Sequence, residues 1–191
     1  MGPHTVTQTI PSLLLITDPT LGQHLPQQVT AALRGGVKHL LLRHKQATAG
    51  EMLRLAQEMQ SLTRAYRAAL LIHDRLDIAL AVAADGVHLP EHGLPTAIAR
   101  TLWPGLLGRS CHSVESARQA LQEGADYVTL SPLFATSSHP EATPLGLERF
   151  RSWRQQIHGP VLALGGIHKE NAHLARAAGA DGVAMIRGLL A

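Results

Sequence analysis

Apolar residues along this chain fall into short consecutive runs separated by longer amphipathic stretches. Runs at residues 13–17, 39–43, 70–73, 86–88, 107–110, 127–130, 161–164 and 182–185 predict eight strands. They are apolar at successive positions rather than alternate ones, the pattern of strands covered on both faces. The stretches between them, 26–34, 48–67, 77–83, 95–102, 114–123, 147–156 and 171–178, carry helical spacing. Strands alternating with helices in this way predict a (β/α)8 barrel whose last helix is short or missing, because so little chain follows Gly188. An open doubly wound sheet is the other arrangement the alternation allows. Four segments also resemble one another: 36–40, 85–89, 126–130 and 181–185, each preceded by a small residue that ends a helix. A helix end, a tight turn and a buried parallel strand recur as a unit.

The chain has 191 residues and no linker rich in Pro, Gly or Ser, so a single domain is expected. This is short for a barrel, which typically runs to about 250 residues. Aromatic residues are only 3% of the total, so Leu, Ala, Val and Ile must fill the interior. The net charge of +3 is spread without a basic stripe, which argues against a nucleic-acid partner. Cys111 is the sole cysteine, so no internal disulfide can form, and a reducing cytoplasm is the expected location. No apolar stretch approaches the ~20 residues needed to span a bilayer, and no signal peptide is visible. Residues 1–11 read as a flexible polar lead-in.

In a barrel of this kind chemistry belongs at the C-terminal ends of the strands. The residues falling there are Arg43, His44 and Lys45, then His73, Asp74 and Arg75, then His88, Pro90, Glu91 and His92. Further along they are Ser110 and His112, Ser131, Thr136, Ser138 and His139, Gly165 and Gly166, and Arg187 and Gly188. Arg43, Lys45 and Arg187 suit phosphate oxygens. Gly165–Gly166 would let backbone N–H groups approach an anion, in the loop position where barrels often hold phosphate. Asp74 would bind Mg2+, pair with Arg75 or cap the following helix. The histidines show no zinc-site spacing. His112, in the run Gly108-Arg109-Ser110-Cys111-His112-Ser113 where a strand gives way to a helix, is the candidate proton-transfer group.

Together these segments resemble the thiamine-phosphate synthase/TenI superfamily, whose members are (β/α)8 barrels of thiamine biosynthesis. The resemblance rests on seven motifs in order: Leu15-Ile16-Thr17-Asp18, Arg43-His44-Lys45, the stretch from His73-Asp74-Arg75 to Leu80, Asp85-Gly86-Val87-His88-Leu89, the Gly108 to Ser113 run, Gly124-Ala125-Asp126-Tyr127-Val128 and Ala163-Leu164-Gly165-Gly166-Ile167. It implies one of two activities. A synthase joins a pyrimidine pyrophosphate to a thiazole phosphate with Mg2+. A TenI-like tautomerase aromatises a thiazole carboxylate phosphate by moving a proton, without a cofactor.

Three positions depart from the synthase pattern: His73 where it has Asn, Gly93 where it has its second metal-binding Asp, and His139 where it has a phosphate-binding Lys. Glu91 is the residue that would replace the missing carboxylate. The resemblance therefore leans to the tautomerase, with His112 as catalytic acid/base. Arg43, Lys45, His73, Ser110, Thr136, Ser138, His139, Gly165, Gly166, Arg187 and Gly188 are then expected around the substrate. Asp74 becomes a metal ligand only under the synthase alternative. A third alternative is a non-catalytic, ligand-binding regulator. The partner implied is a small thiazole phosphate, with no membrane or nucleic acid, and a homodimer is left open.

Overall fold

A computed structural model describes residues 9–136 and 141–186. Eight parallel strands close into a barrel in chain order. They are β1 (Leu13–Ile16), β2 (His39–Leu42), β3 (Ala69–His73), β4 (Gly86–Leu89), β5 (Leu106–Cys111), β6 (Tyr127–Leu130), β7 (Val161–Leu164) and β8 (Gly182–Met185). β8 pairs with β1 through Leu14↔Ala184, which rules out the open sheet. The helices are α1 (Leu25–Arg34), α2 (Ala49–Ala65), α3 (Leu76–Val82), α4 (Thr96–Leu102), α5 (Val114–Gln122), α6 (Gly146–Gln156) and α7 (Ala172–Ala177). A 3-10 turn over Pro19–His24, which the apolar pattern does not announce, precedes α1. The expected short last helix would fall in 187–191, outside the described residues. No helix among the described residues is long and apolar enough to cross a membrane.

The consecutive apolar runs arise because each strand has two dry faces. One face points into the barrel, where Leu14, Ile16, Leu41, Ala69, Leu71, Leu106, Tyr127, Leu162 and Ala184 form one cluster. The other packs under the helices, with Leu15, Leu40, Leu70 and Val87 against α1–α4 and Val128, Val161 and Val183 against α5–α7. Small and aliphatic side chains suffice because an eight-stranded barrel interior is just wide enough for side chains to fill.

The barrel floor corrects one expectation. Residues 9–11 are not a loose lead-in: Pro11 is buried, Ile10 packs on the interior cluster, and the Thr9 carbonyl meets His39 Nε2 at 3.0 Å. A Cβ on Gly182 would lie 2.3 Å from the Pro11 carbonyl oxygen, so the chain can cross beneath β8 only because residue 182 has no side chain.

The repeated units have a structural cause at the same floor. Asp85, Asp126 and Asp181 each precede an even-numbered strand and accept the backbone N–H near the start of the strand before it. The acceptor distances are 2.8 Å to Leu70, 2.7 Å to Leu107 and 2.8 Å to Val161. Arg100 and Arg154 complete two of these clasps, at 2.7 Å from Asp126 and 3.0 Å from Asp181. Each guanidinium also caps the carbonyl of a helix-ending glycine, Gly124 or Gly179.

Candidate active site

The site is built at the opposite end. Thr17 ties the ends of β1 and β2 together: its hydroxyl donates to the Arg43 carbonyl at 3.2 Å and accepts from the Arg43 N–H at 2.9 Å. This fixes the chain where Arg43 stands half-buried and Lys45 exposed. Beside them, at the end of β3, burial and then the charges of Arg43 and Lys45 push His73 down to about 4. His73 is therefore neutral at pH 7, among cations.

Asp74 follows in a left-handed backbone conformation, with φ of 66°. Its carboxylate is exposed and makes no hydrogen bond among the described residues, so the helix-capping and Arg75-pairing expectations fail. Arg75 is held instead by Asp77, at 2.6 Å and 2.8 Å. Across from Asp74 lies Gly93, where a Cβ would sit 3.0 Å from Asp74 Oδ1.

Glu91 does not fill that gap. Arg109 pins the loop after β4 by donating to the Glu91 carbonyl at 2.8 Å and the Leu94 carbonyl at 2.5 Å. So held, the Glu91 carboxylate turns to His112: Oε1 accepts the His112 N–H at 3.0 Å, and Oε2 lies 3.8 Å from Nε2. His112 Nδ1 faces the Ser131 carbonyl at 2.8 Å, an oxygen that can only accept, so Nδ1 carries the proton. The chemically available nitrogen is Nε2, half-exposed at the mouth and beside a carboxylate. The ring sits here because Ser113 caps α5, accepting the Ser116 N–H at 3.0 Å, which ends β5 and starts the helix within two residues.

Ser110, at the inward-facing end of β5, takes its place through residues that the sequence reading passed over or did not connect. His88 Nε2 is 3.0 Å from Ser110 Oγ, and His88 Nδ1 is 3.0 Å from the Tyr127 hydroxyl. A Cβ on Gly108 would lie 2.3 Å from Tyr127 Cζ and 2.4 Å from His88 Nδ1, so this pair exists only because β5 has a glycine there. Tyr127 reads as one more apolar strand residue; the glycine on the neighbouring strand was the available signal. Next to Ser110 in register, Thr129 has its hydroxyl buried without a hydrogen-bond partner among the described residues.

Gly165 and Gly166, with φ of 101° and 64°, follow β7. A Cβ on Gly166 would lie 2.4 Å from the Ala135 carbonyl oxygen, so the pair lets the loop after β6, which carries half-buried Thr136, come down onto the barrel. Ser138, His139, Arg187 and Gly188 lie outside the described residues.

A Mg2+ ion at this mouth would find a single carboxylate donor among the described residues, that of Asp74. No group of three or more His, Cys, Asp or Glu side chains among the described residues is arranged around a common point. Asp74 alone fits an ion that brings substrate phosphate oxygens and water as its remaining ligands, a common mode for Mg2+.

The chain matches the thiamine monophosphate synthase family over residues 13–189. It belongs to that family. A thiamine-phosphate synthase of Syntrophomonas wolfei is 45% identical, the match covering 94% of this chain and 88% of that one. A thiamine-phosphate synthase of Chloroflexus aurantiacus is 40% identical, covering 94% and 85%. Among solved structures, the thiamine phosphate pyrophosphorylase of Pyrococcus furiosus superposes with a TM-score of 0.84 at 37% identity, covering 92% of this chain and 85% of that one. The expected superfamily and barrel therefore hold, and the protein is an enzyme of thiamine biosynthesis. The relatives bear the synthase name, the alternative of the sequence reading rather than its first choice.

Proposed function

We propose that this protein is a thiamine-phosphate synthase. The thiazole ring nitrogen attacks the methylene of a hydroxymethylpyrimidine pyrophosphate, the C–O bond to the pyrophosphate breaks, and pyrophosphate leaves. The observation that carries this reading is the exposed, unbonded Asp74 carboxylate at the end of β3, in a mouth that also holds Arg43 and Lys45, on a chain 45% identical to a relative of that name. Asp74 would hold Mg2+, which when bound offsets charge on the departing pyrophosphate. Arg43 and Lys45 would hold phosphate oxygens, and Ser110 would orient one substrate. Gly165 and Gly166 would present backbone to the thiazole phosphate, and Thr136, Ser138, His139, Arg187 and Gly188 are the further substrate contacts we assign. Cytoplasmic location suits such an enzyme.

A second reading, the thiazole tautomerase, is favoured by one geometric fact: His112 is set as a base, with Nδ1 donating to Ser131 and Nε2 open beside Glu91. An imidazole so placed can carry a proton from a ring carbon to an exocyclic one without metal. Purified protein offered each substrate set, with and without Mg2+, separates the two. Mg2+-dependent release of thiamine phosphate and pyrophosphate supports the synthase. Metal-free aromatisation with no coupling activity would replace it with the tautomerase.

A further inference from the structure

The line of polar groups running up the inside of the barrel ends at Ser110, and each contact restricts the next. The Tyr127 phenol is completely enclosed, and its one hydrogen-bond partner among the described residues is His88 Nδ1. A buried hydroxyl proton without an acceptor is costly, so the phenol donates and Nδ1 accepts. An Nδ1 that accepts the phenol proton carries none of its own, so the ring is neutral and has a single N–H. With Nδ1 bare, that N–H is on Nε2 and points at Ser110 Oγ, 3.0 Å away. Ser110 thereby receives a hydrogen bond from below, and its own proton is left to point elsewhere. Ser110 is half-buried, at the inward-facing end of β5, where the barrel opens.

We propose that Tyr127 and His88 act as positioning residues that fix the Ser110 hydroxyl as a hydrogen-bond donor toward the barrel mouth, so that Ser110 selects an acceptor atom on the bound ligand. The acceptor is an anionic oxygen or an unprotonated ring nitrogen; a ligand presenting N–H or O–H at that point meets a group already receiving one hydrogen bond. The direction of the hydroxyl follows from the barrel interior alone. The identity of the ligand rests on the mouth being the thiazole phosphate site.

Two measurements on the full chain test this. Long-range proton–nitrogen correlation spectra of protein labelled with nitrogen-15 in histidine are expected to show His88 with its proton on Nε2 and a bare Nδ1. A proton on Nδ1, or a doubly protonated ring at neutral pH, overturns the proposal, and this measurement needs no substitution. The second is calorimetric binding of thiazole phosphate to variants. Ser110→Ala is expected to weaken binding about tenfold. His88→Asn, which keeps an acceptor near Nδ1 but loses the donor to Ser110, is expected to do the same. His88→Gln, whose amide reaches the Nε2 position and restores that donor, is expected to stay within about threefold of the unsubstituted protein. Equal affinity for Ser110→Ala and the unsubstituted protein overturns the claim that Ser110 meets the ligand, as does equal weakening by Asn and Gln for the His88 route. Failure of the unsubstituted protein to bind thiazole phosphate sinks the proposed function, and the His88 spectrum then decides the hydroxyl's direction by itself.

Discussion

Gly93 faces the Asp74 carboxylate: a Cβ at position 93 would lie 3.0 Å from Asp74 Oδ1 and 2.9 Å from the Pro90 ring. Gly93→Asp therefore supplies a second hard oxygen donor beside the first. The Pro90 ring must shift to admit it, at a cost of about 1–3 kcal/mol. In return, Mg2+ with pyrophosphate is expected to raise the Tm of the variant by about 3 °C more than that of the unsubstituted protein. Equal responses in a thermal-shift titration would show that position 93 does not reach the ion.

Asp74→Asn removes the exposed Asp74 carboxylate without disturbing the backbone, since Asn tolerates the left-handed conformation that residue 74 adopts. Stability should change by less than about 0.5 kcal/mol, because the group is exposed and unbonded. Thiamine phosphate formation should fall by about 100-fold or more. An unchanged rate in a coupled pyrophosphate assay would remove Asp74 from the synthase mechanism.

His112→Gln distinguishes the two chemistries on one protein. Any metal-free aromatisation is expected to drop by about 100-fold or more, the usual contribution of a positioned acid/base. Coupling of pyrimidine to thiazole needs no proton at that nitrogen and should persist. Loss of both rates together, with folding intact by circular dichroism, would instead place His112 in substrate binding.

Acid should loosen the barrel before it touches most carboxylates. Burial holds His88 at about 3; burial with Arg43 and Lys45 holds His73 at about 4, each from an unfolded value of 6.5. Both folded values lie below the unfolded one, so the unfolded chain binds more protons. The stability these rings contribute is whole above about pH 6.5 and declines as pH falls through 5 toward 4 and 3. At about pH 5 each should cost on the order of 2 kcal/mol relative to pH 8. Urea unfolding at the two pH values measures it, and His88→Gln should recover about half of the loss. A stability that stays level across that range would contradict the buried neutral rings.

Gly108→Ala forces a methyl group against Tyr127 and His88, both locked in the barrel interior. Neither can swing away as a surface side chain would. Destabilisation of about 3 kcal/mol or more is expected, read as a lower urea midpoint with an unchanged m-value. A loss under about 1 kcal/mol would mean that the Tyr127–His88 contact has room to relax.

The barrel was legible in the sequence because doubly buried strands leave a mark in consecutive residues. β6, β7 and β8 fall where the apolar runs place them, and the other strands shift by only a residue or two. The Asp85, Asp126 and Asp181 repeats were visible as pattern, though not as clasps, since their partners lie a strand away. The mouth was legible by position, not by direction. Glu91 was expected to face a metal and instead holds His112, because Arg109 sets the loop that carries it. Residues 9–11 looked loose because their contacts, with His39 and Gly182, are remote in sequence.

The aspartate clasps sit on the floor of the barrel, and His112, Asp74 and Gly93 sit at its rim. Sites this far apart and without shared partners contribute to stability independently. The cost of a rim substitution such as Gly93→Asp therefore adds to that of a clasp substitution without being amplified by it. Damage at the floor and change at the rim can be separated by subtraction, so the melting point of a double variant follows from those of the two single ones.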